Sequence, residues 1–487
     1  MIGGLLNKVK HISVHHWGVA ALAAALACGQ ADLGRLAPDH LPELKLHFLC
    51  FAVSLAALIT DAKIYGLRSF LSTRRAHLYL LGALVVTTAV YFVRDAFFLP
   101  HDLGFSVHVY VDLLMVLGLV ALGFGLLRTI QDVDFLMLII RGIAFLAACA
   151  AIAKTAFTGV SLDNGSALHI MGGPYGFYTL ELMGFGATLF ALLRTQNTRY
   201  LVGYAALAAF YLLTSYFSLQ KAAPVAAFLG VLVSIFSLIV LRDYKHALFI
   251  LLSFMVAGAL FFFPSNMSDL RPSHTYVVAS PIQTTNETAT STSPISTLAK
   301  IEQRNYTDDE LPQGLTAHKL SYVGYELRSC YIEAWKQNPN PALLKSLDVT
   351  SCGNRITIYD NTSRLRLFLE AQKIIKRSPL LGEGVDSYRF ITVRAGEFSV
   401  HTYPHNIFLN LMVRFGLIGT LILILPLGVS FVLLTRNAAS TPACIALIAI
   451  GVLTMATCMV AGDFYEARML WLLLPMTLAV IPSRNLA

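Results

Sequence analysis

Tyr403-Pro404-His405-Asn406 passes straight into an apolar run that continues to about residue 434, and this junction decides how the chain is built. Lipid offers no partner for backbone polar groups, so an apolar run of that length crosses a membrane as a helix. Working outward, similar runs of about 18 to 22 residues recur on both sides, separated by short polar breaks. They fall near residues 15–34, 45–62, 77–95, 108–127, 134–154, 175–193, 199–217, 222–241, 246–263, 405–434, 441–461 and 466–482. The expected fold is all-α, a polytopic membrane bundle of about twelve spans. Composition agrees: of 487 residues 56% are hydrophobic and 13% charged, and the mean hydropathy is +0.65. A soluble enzyme has too little interior to hide that much apolar surface.

Basic residues in short loops mark the cytoplasmic side. Lys8 and Lys10 precede the first span, and Lys63, Arg68, Arg74 and Arg75 crowd the second loop. Arg128, then Arg194 and Arg199, then Arg242 and Lys245, and finally Arg436 occupy alternate loops beyond them. This parity predicts two cytoplasmic termini and sends the long polar insert, residues 264–404, to the opposite side. Three regions follow: an N-terminal bundle of about nine spans over 1–263, the insert, and a C-terminal bundle of about three spans over 405–487. The net charge of +8 reads as this topology signal; a nucleic-acid partner would need the cations gathered on one soluble face. The first apolar segment has no small-residue cleavage site after it and reads as a retained helix.

The insert changes character along its length. Residues 264–314 include a Ser/Thr-rich tract, Gln283-Thr284-Thr285-Asn286-Glu287-Thr288-Ala289-Thr290-Ser291-Thr292-Ser293-Pro294, too polar to bury a core of its own and expected as a flexible loop. Residues 315–404 regain helical character. Between Arg364 and Ile375, Leu365, Phe368, Leu369 and Ile374 recur at helical spacing, which predicts a helix over the membrane surface.

Chemistry is concentrated at the end of this insert. His405 stands where a membrane helix opens, beside the positive end of its dipole; that field and partial burial favour a neutral imidazole able to take a proton. The structural alternative is an interfacial anchor. Upstream, Arg364 shares a helix face with Phe368 at i, i+4, and an arginine fork matches pyrophosphate oxygens in pairs. Lys373, Lys376 and Arg377 read instead as a solvated face near lipid headgroups. Gly382 and Gly384, after Ser378-Pro379, read as a turn ending that helix, with Tyr388 packing beside it. Lys221, in Ser218-Leu219-Gln220-Lys221 at the turn between spans seven and eight, is a snorkelling anchor or a substrate contact.

The order Ser363-Arg364-Leu365-Arg366-Leu367-Phe368, then Pro379-Leu380-Leu381-Gly382-Glu383-Gly384, then His405-Asn406 resembles the O-antigen ligase and O-antigen polymerase family. That family joins an Arg-x-x-x-aromatic helix to Pro-Leu-x-Gly-x-Gly and then to His-Asn opening a membrane helix. The likeness covers roughly residues 359–420, extended by Phe415-Gly416-Leu417-Ile418-Gly419. Phe368 stands where tryptophan is frequent, Arg414 departs from an acidic residue often seen there, and Gln220-Lys221 replaces the usual Ser-Arg.

The resemblance implies a bacterial inner-membrane glycosyltransferase with its active site facing the periplasm and an undecaprenyl-pyrophosphate-linked glycan as donor. His405 is then the expected catalytic base, with Arg364 and Lys221 holding the pyrophosphate; Asn406, Arg366, His401 and Gln220 are expected around the substrate. His401 ranks below His405, because the family histidine directly precedes the asparagine. No cofactor or metal is expected: Asp308-Asp309-Glu310 reads as a solvated run, and no Asp-x-Asp pair stands on that face. Cys330 and Cys352 alone among the seven cysteines lie in the insert, a candidate disulfide in an oxidising periplasm, with unpaired thiols as the alternative. The remaining five read as packing residues.

A lipid A core acceptor would make the chain an O-antigen ligase, the favoured expectation. A second lipid-linked repeat would make it a polymerase, and a protein hydroxyl an O-oligosaccharyltransferase. A transporter of lipid-linked sugars is the competing class. It would carry ionisable residues at mid-membrane, where the candidates are Asp112, Arg141, Glu181 and Asp463.

Overall fold

The computed structural model describes residues 13–28, 46–65, 75–98, 103–158, 173–218, 222–262, 364–385, 387–388, 404–461 and 467–481. Every regular element among them is a helix: α1 Val14–Cys28, α2 Leu46–Tyr65, α3 Arg75–Phe98, α4 Leu103–Leu126, α5 Ile130–Thr158, α6 Gly173–Arg194 and α7 Thr198–Phe217. Then follow α8 Ala222–Val240, α9 Tyr244–Phe262, α10 Arg364–Arg377, α11 Ile407–Asn437, α12 Pro442–Ala461, α13 Arg468–Trp471 and α14 Leu473–Val480. Eight of these (α2, α4, α5, α6, α7, α8, α11 and α12) are long and apolar enough to cross a membrane. The chain is a polytopic helical membrane protein in these terms.

Two compact units make up the chain. The first comprises Met1–Arg94, Val107–Pro272 and Gly419–Ala487, and the second Asp95–Ser106 and Ser273–Ile418. In the first unit α1 packs on α2 and α5, α6 lies among α5, α7 and α12, and α8 pairs with α9 and α12. Small residues set the close approaches: a Cβ on Gly184 of α6 would lie 2.6 Å from the Ala144 Cβ, and one on Gly18 of α1 would lie 2.9 Å from that of Ala57. Such contacts replace the hydrophobic drive that lipid removes between helices. Polarity is distributed accordingly, with Leu146 and Phe236 each 68% exposed on outer surfaces while Glu181 is fully buried.

Two expected spans are interrupted. The last, expected over 466–482, divides at Leu472 into α13 and α14, because Pro475 has no N–H to offer the Trp471 carbonyl. The tenth, expected to run unbroken from 405, begins at Ile407 and leaves helical geometry at Gly416, where φ is 61° and ψ −169°.

In the second unit, α10 packs Leu367, Ala371 and Ile374 against Tyr388 and Val413, with Phe368, Ile375 and Leu409 at the margin. Of the four residues expected along its apolar face, Ile374 lies in this core and Phe368 at its margin, while the side chain of Leu365 lies outside the described residues. Leu369 is exposed, and the small Ala371 lets the other leucine-bearing face approach α11. Tyr388 fills this core as expected and donates its hydroxyl hydrogen to the Leu367 carbonyl at 3.2 Å. Lys373, Lys376 and Arg377 lie on the exposed face.

Candidate functional site

An α-helix that breaks inside a membrane protein orphans backbone groups, and each must find a new partner. At Gly416 the carbonyls of Val413 and Arg414 lose their partners four residues on, the N–H groups of Leu417 and Ile418. The turn after α10 replaces both pairs. Glu383 N–H donates to Val413 O at 2.8 Å and Gly384 N–H to Arg414 O at 3.2 Å, while Leu417 N–H donates to Pro379 O at 2.8 Å and Ile418 N–H to Leu380 O at 3.1 Å. Four hydrogen bonds thus dock residues 379–384 into the break.

Glycine is required on both sides of this joint. Gly382 has φ 73° and Gly416 φ 61°, values that side-chain-bearing residues rarely adopt. A Cβ on Gly382 would also lie 2.5 Å from the Gly416 nitrogen, and one on Gly416 would strike the Gly382 nitrogen and the Leu380 carbonyl. Asp95, buried near the end of α3, fixes the far side of the turn, its Oδ2 accepting the Val385 N–H at 3.0 Å.

The same broken helix carries His405 and Asn406 at its start. Asn406 is the cap: its Oδ1 accepts the Leu409 N–H at 3.1 Å, and its carbonyl accepts the Asn410 N–H at 2.9 Å. His405 precedes the cap, so it does not stand in the first helical turn as the sequence suggested. It is half-buried, with φ 50°, a left-handed conformation that costs a non-glycine residue about 1–2 kcal/mol. Strain of this kind clusters where a side chain must be aimed. Below it, Asn406, Asn410 and Arg414, all buried, recur every four residues and form a polar stripe on one face of the first half of α11. Asp95, Asn410 and Arg414 were not among the expected site residues. The four-residue spacing of polar groups within an apolar run was the available signal for the stripe; nothing near Asp95 in sequence pointed to the turn.

Of the other expected site residues, Arg364 and Arg366 lie in the first turn of α10, their side chains outside the described residues. Lys221, Gln220, His401, Cys330 and Cys352 also lie outside them. Among the described residues no cluster of three His, Cys, Asp or Glu side chains is placed to hold a metal ion.

A second polar cluster, in the first unit, joins α1, α2 and the start of α5. His15 lies with Nε2 2.9 Å from Asp132 Oδ1 and Nδ1 3.6 Å from Asp61 Oδ2, and Arg128 pairs with Asp61. Asp132 Oδ2 accepts the N–H groups of Arg128 and Thr129 at 3.0 and 2.8 Å. With Thr129 this makes a capping box at the start of α5. Its local role is to end one helix and begin the next.

Comparison with known protein-family models yields no match, and no curated protein matches the chain.

Proposed function

We propose that the chain is a membrane glycosyltransferase of the O-antigen ligase type, transferring a glycan from undecaprenyl-pyrophosphate to a lipid A core acceptor at the periplasmic face of the inner membrane. The observation that carries this reading is the docking of residues 379–384 into the Gly416 break. It makes one body of the glycine turn and the His405-bearing helix, two segments on which the family resemblance rests. In this reading His405 takes the proton of the acceptor hydroxyl as its oxygen attacks the anomeric carbon. The bond from that carbon to the pyrophosphate oxygen breaks with inversion, and the leaving group departs as the lipid pyrophosphate. Cations favour that step by holding the charge that develops on the leaving group. Arg364 and Lys221 are assigned this work, and Arg414 is a buried cation on the helix that follows His405.

The test is His405→Ala, followed in cells and in a purified donor-plus-acceptor assay. Normal membrane levels with full-length lipid-linked glycan accumulating and none on lipid A are expected for a ligase. Single-repeat glycans would instead assign a polymerase of the same family. Unchanged transfer would remove His405 as the base and favour a transporter of lipid-linked sugars.

A further inference from the structure

Glu181 lies two turns into α6, fully buried in the core that α6 shares with α5 and α7. Its Oε2 is 2.8 Å from the Thr214 hydroxyl, whereas Oε1 has no hydrogen-bond partner among the described residues. The Thr214 oxygen also lies 3.0 Å from the Phe210 carbonyl and 3.1 Å from the Tyr211 carbonyl. A hydroxyl carries one hydrogen, so these contacts describe two states sharing the same heavy-atom positions. With Glu181 ionised, Thr214 donates to Oε2. With Glu181 protonated, Oε2–H donates to Thr214, whose own hydrogen turns to a backbone carbonyl.

The surroundings favour a proton over a metal ion as the ligand of this carboxyl. A bound cation needs several converging oxygens, and among the described residues no group of three or more acidic, His or Cys side chains is placed to hold a metal ion. On α5 the nearby groups are Arg141, whose guanidinium lies over the Tyr204 ring, and Cys149; Lys154 is exposed. On α7, Tyr211 donates to the Arg141 carbonyl at 2.6 Å, and Tyr178 is the titratable neighbour one turn away on α6 itself. Helices α8 and α12 contain no Asp, Glu, Lys, Arg or His. Apart from Cys28, the titratable groups of α1 and α9 lie toward the opposite end of α6: His15 bonds Asp132, His16 bonds Ser13, and His246 and Lys245 bond the α6–α7 link at Thr195 and Gln196.

Thr214 and Ser218 share a face of α7, about 6 Å apart along its axis. Both are buried, and Ser218 Oγ donates to the Ser215 carbonyl at 2.5 Å. A second buried hydroxyl thus stands one turn from Thr214, at the end of the helix.

We propose that Glu181 and Thr214 form a proton-binding site in the core of α5, α6 and α7, loaded and unloaded through the Ser218 end of α7. An ionisable group held inside membrane helices is a functional feature by default. This site stands independently of the His405 chemistry, so its fate does not depend on the glycan-transfer reading.

Infrared difference spectra of the full chain in lipid nanodiscs, taken between acidic and mildly alkaline buffers, test it. A protonated-carboxyl stretch is expected to appear on acidification, to vanish in Glu181→Gln and to change frequency in Thr214→Val. Ser218→Ala is expected to slow its hydrogen–deuterium shift severalfold. A carboxyl stretch of Glu181 present at every pH would mark a permanently neutral structural group and overturn the proposal, as would identical spectra from the wild type and Glu181→Gln. Should Glu181→Gln fail to fold, an unshifted stretch in Thr214→Val would overturn it equally.

Discussion

His405 combines a left-handed backbone with a position directly before the Asn406 cap. Glycine tolerates that backbone without strain, so His405→Gly is expected to unfold at the same temperature or higher, with a gain of up to about 1 kcal/mol. On the proposed glycosyltransferase reading it is expected at the same time to abolish glycan transfer. Thermal unfolding measured beside the transfer assay checks both, and lost stability would mean that the ring acts as packing. Asp95 offers a second test at this scale. Asp95→Asn keeps an acceptor for the Val385 N–H, whereas Asp95→Ala leaves that buried donor unsatisfied and is expected to cost about 1–3 kcal/mol. Chemical denaturation of the two variants should separate them.

At the scale of elements, the turn at 379–384 and the break in α11 are two halves of one joint. Gly382→Ala or Gly416→Ala sets a Cβ against backbone that cannot move aside, and each is expected to destabilise by about 2–4 kcal/mol. Because both disrupt the same four hydrogen bonds, the double variant should cost clearly less than the sum of the singles; strict additivity in unfolding would show that the halves act separately. This joint was only partly legible in the sequence. The glycine turn could be read from Ser378-Pro379 and its glycines, but glycine is common in membrane helices, so although Gly416-Leu417-Ile418-Gly419 stood out as a motif, nothing local marked Gly416 rather than Gly428 as the place where the helix breaks. Its partners stand far upstream, and hydropathy carries no record of such pairing. The buried face of α10 was obscure for a different reason: leucines at 365, 367 and 369 alternate around the helix, and only the opposing surface chooses among them.

At the scale of the molecule, eight helices long and apolar enough to cross a membrane fall where apolar runs predicted them, because lipid imposes the same demand on every crossing segment. Polar contacts between distant helices leave no such trace, and the His15–Asp61–Arg128–Asp132 cluster is the example. Asp132→Ala removes the cap of α5 and the tie from α5 to α1 together, and is expected to lower stability by about 2 kcal/mol. On the proposed reading, glycan transfer per folded molecule should stay unchanged; thermal unfolding and specific activity, measured on one preparation, distinguish the two effects. The joint between Gly382 and Gly416 bears on descent as well as on stability. A lineage that gained a side chain at either glycine would lose the fit that made the other necessary, so the two should be inherited or lost together. A distant chain with the proline–glycine turn but no glycine in its following span would therefore belong to a different architecture, however similar its hydropathy.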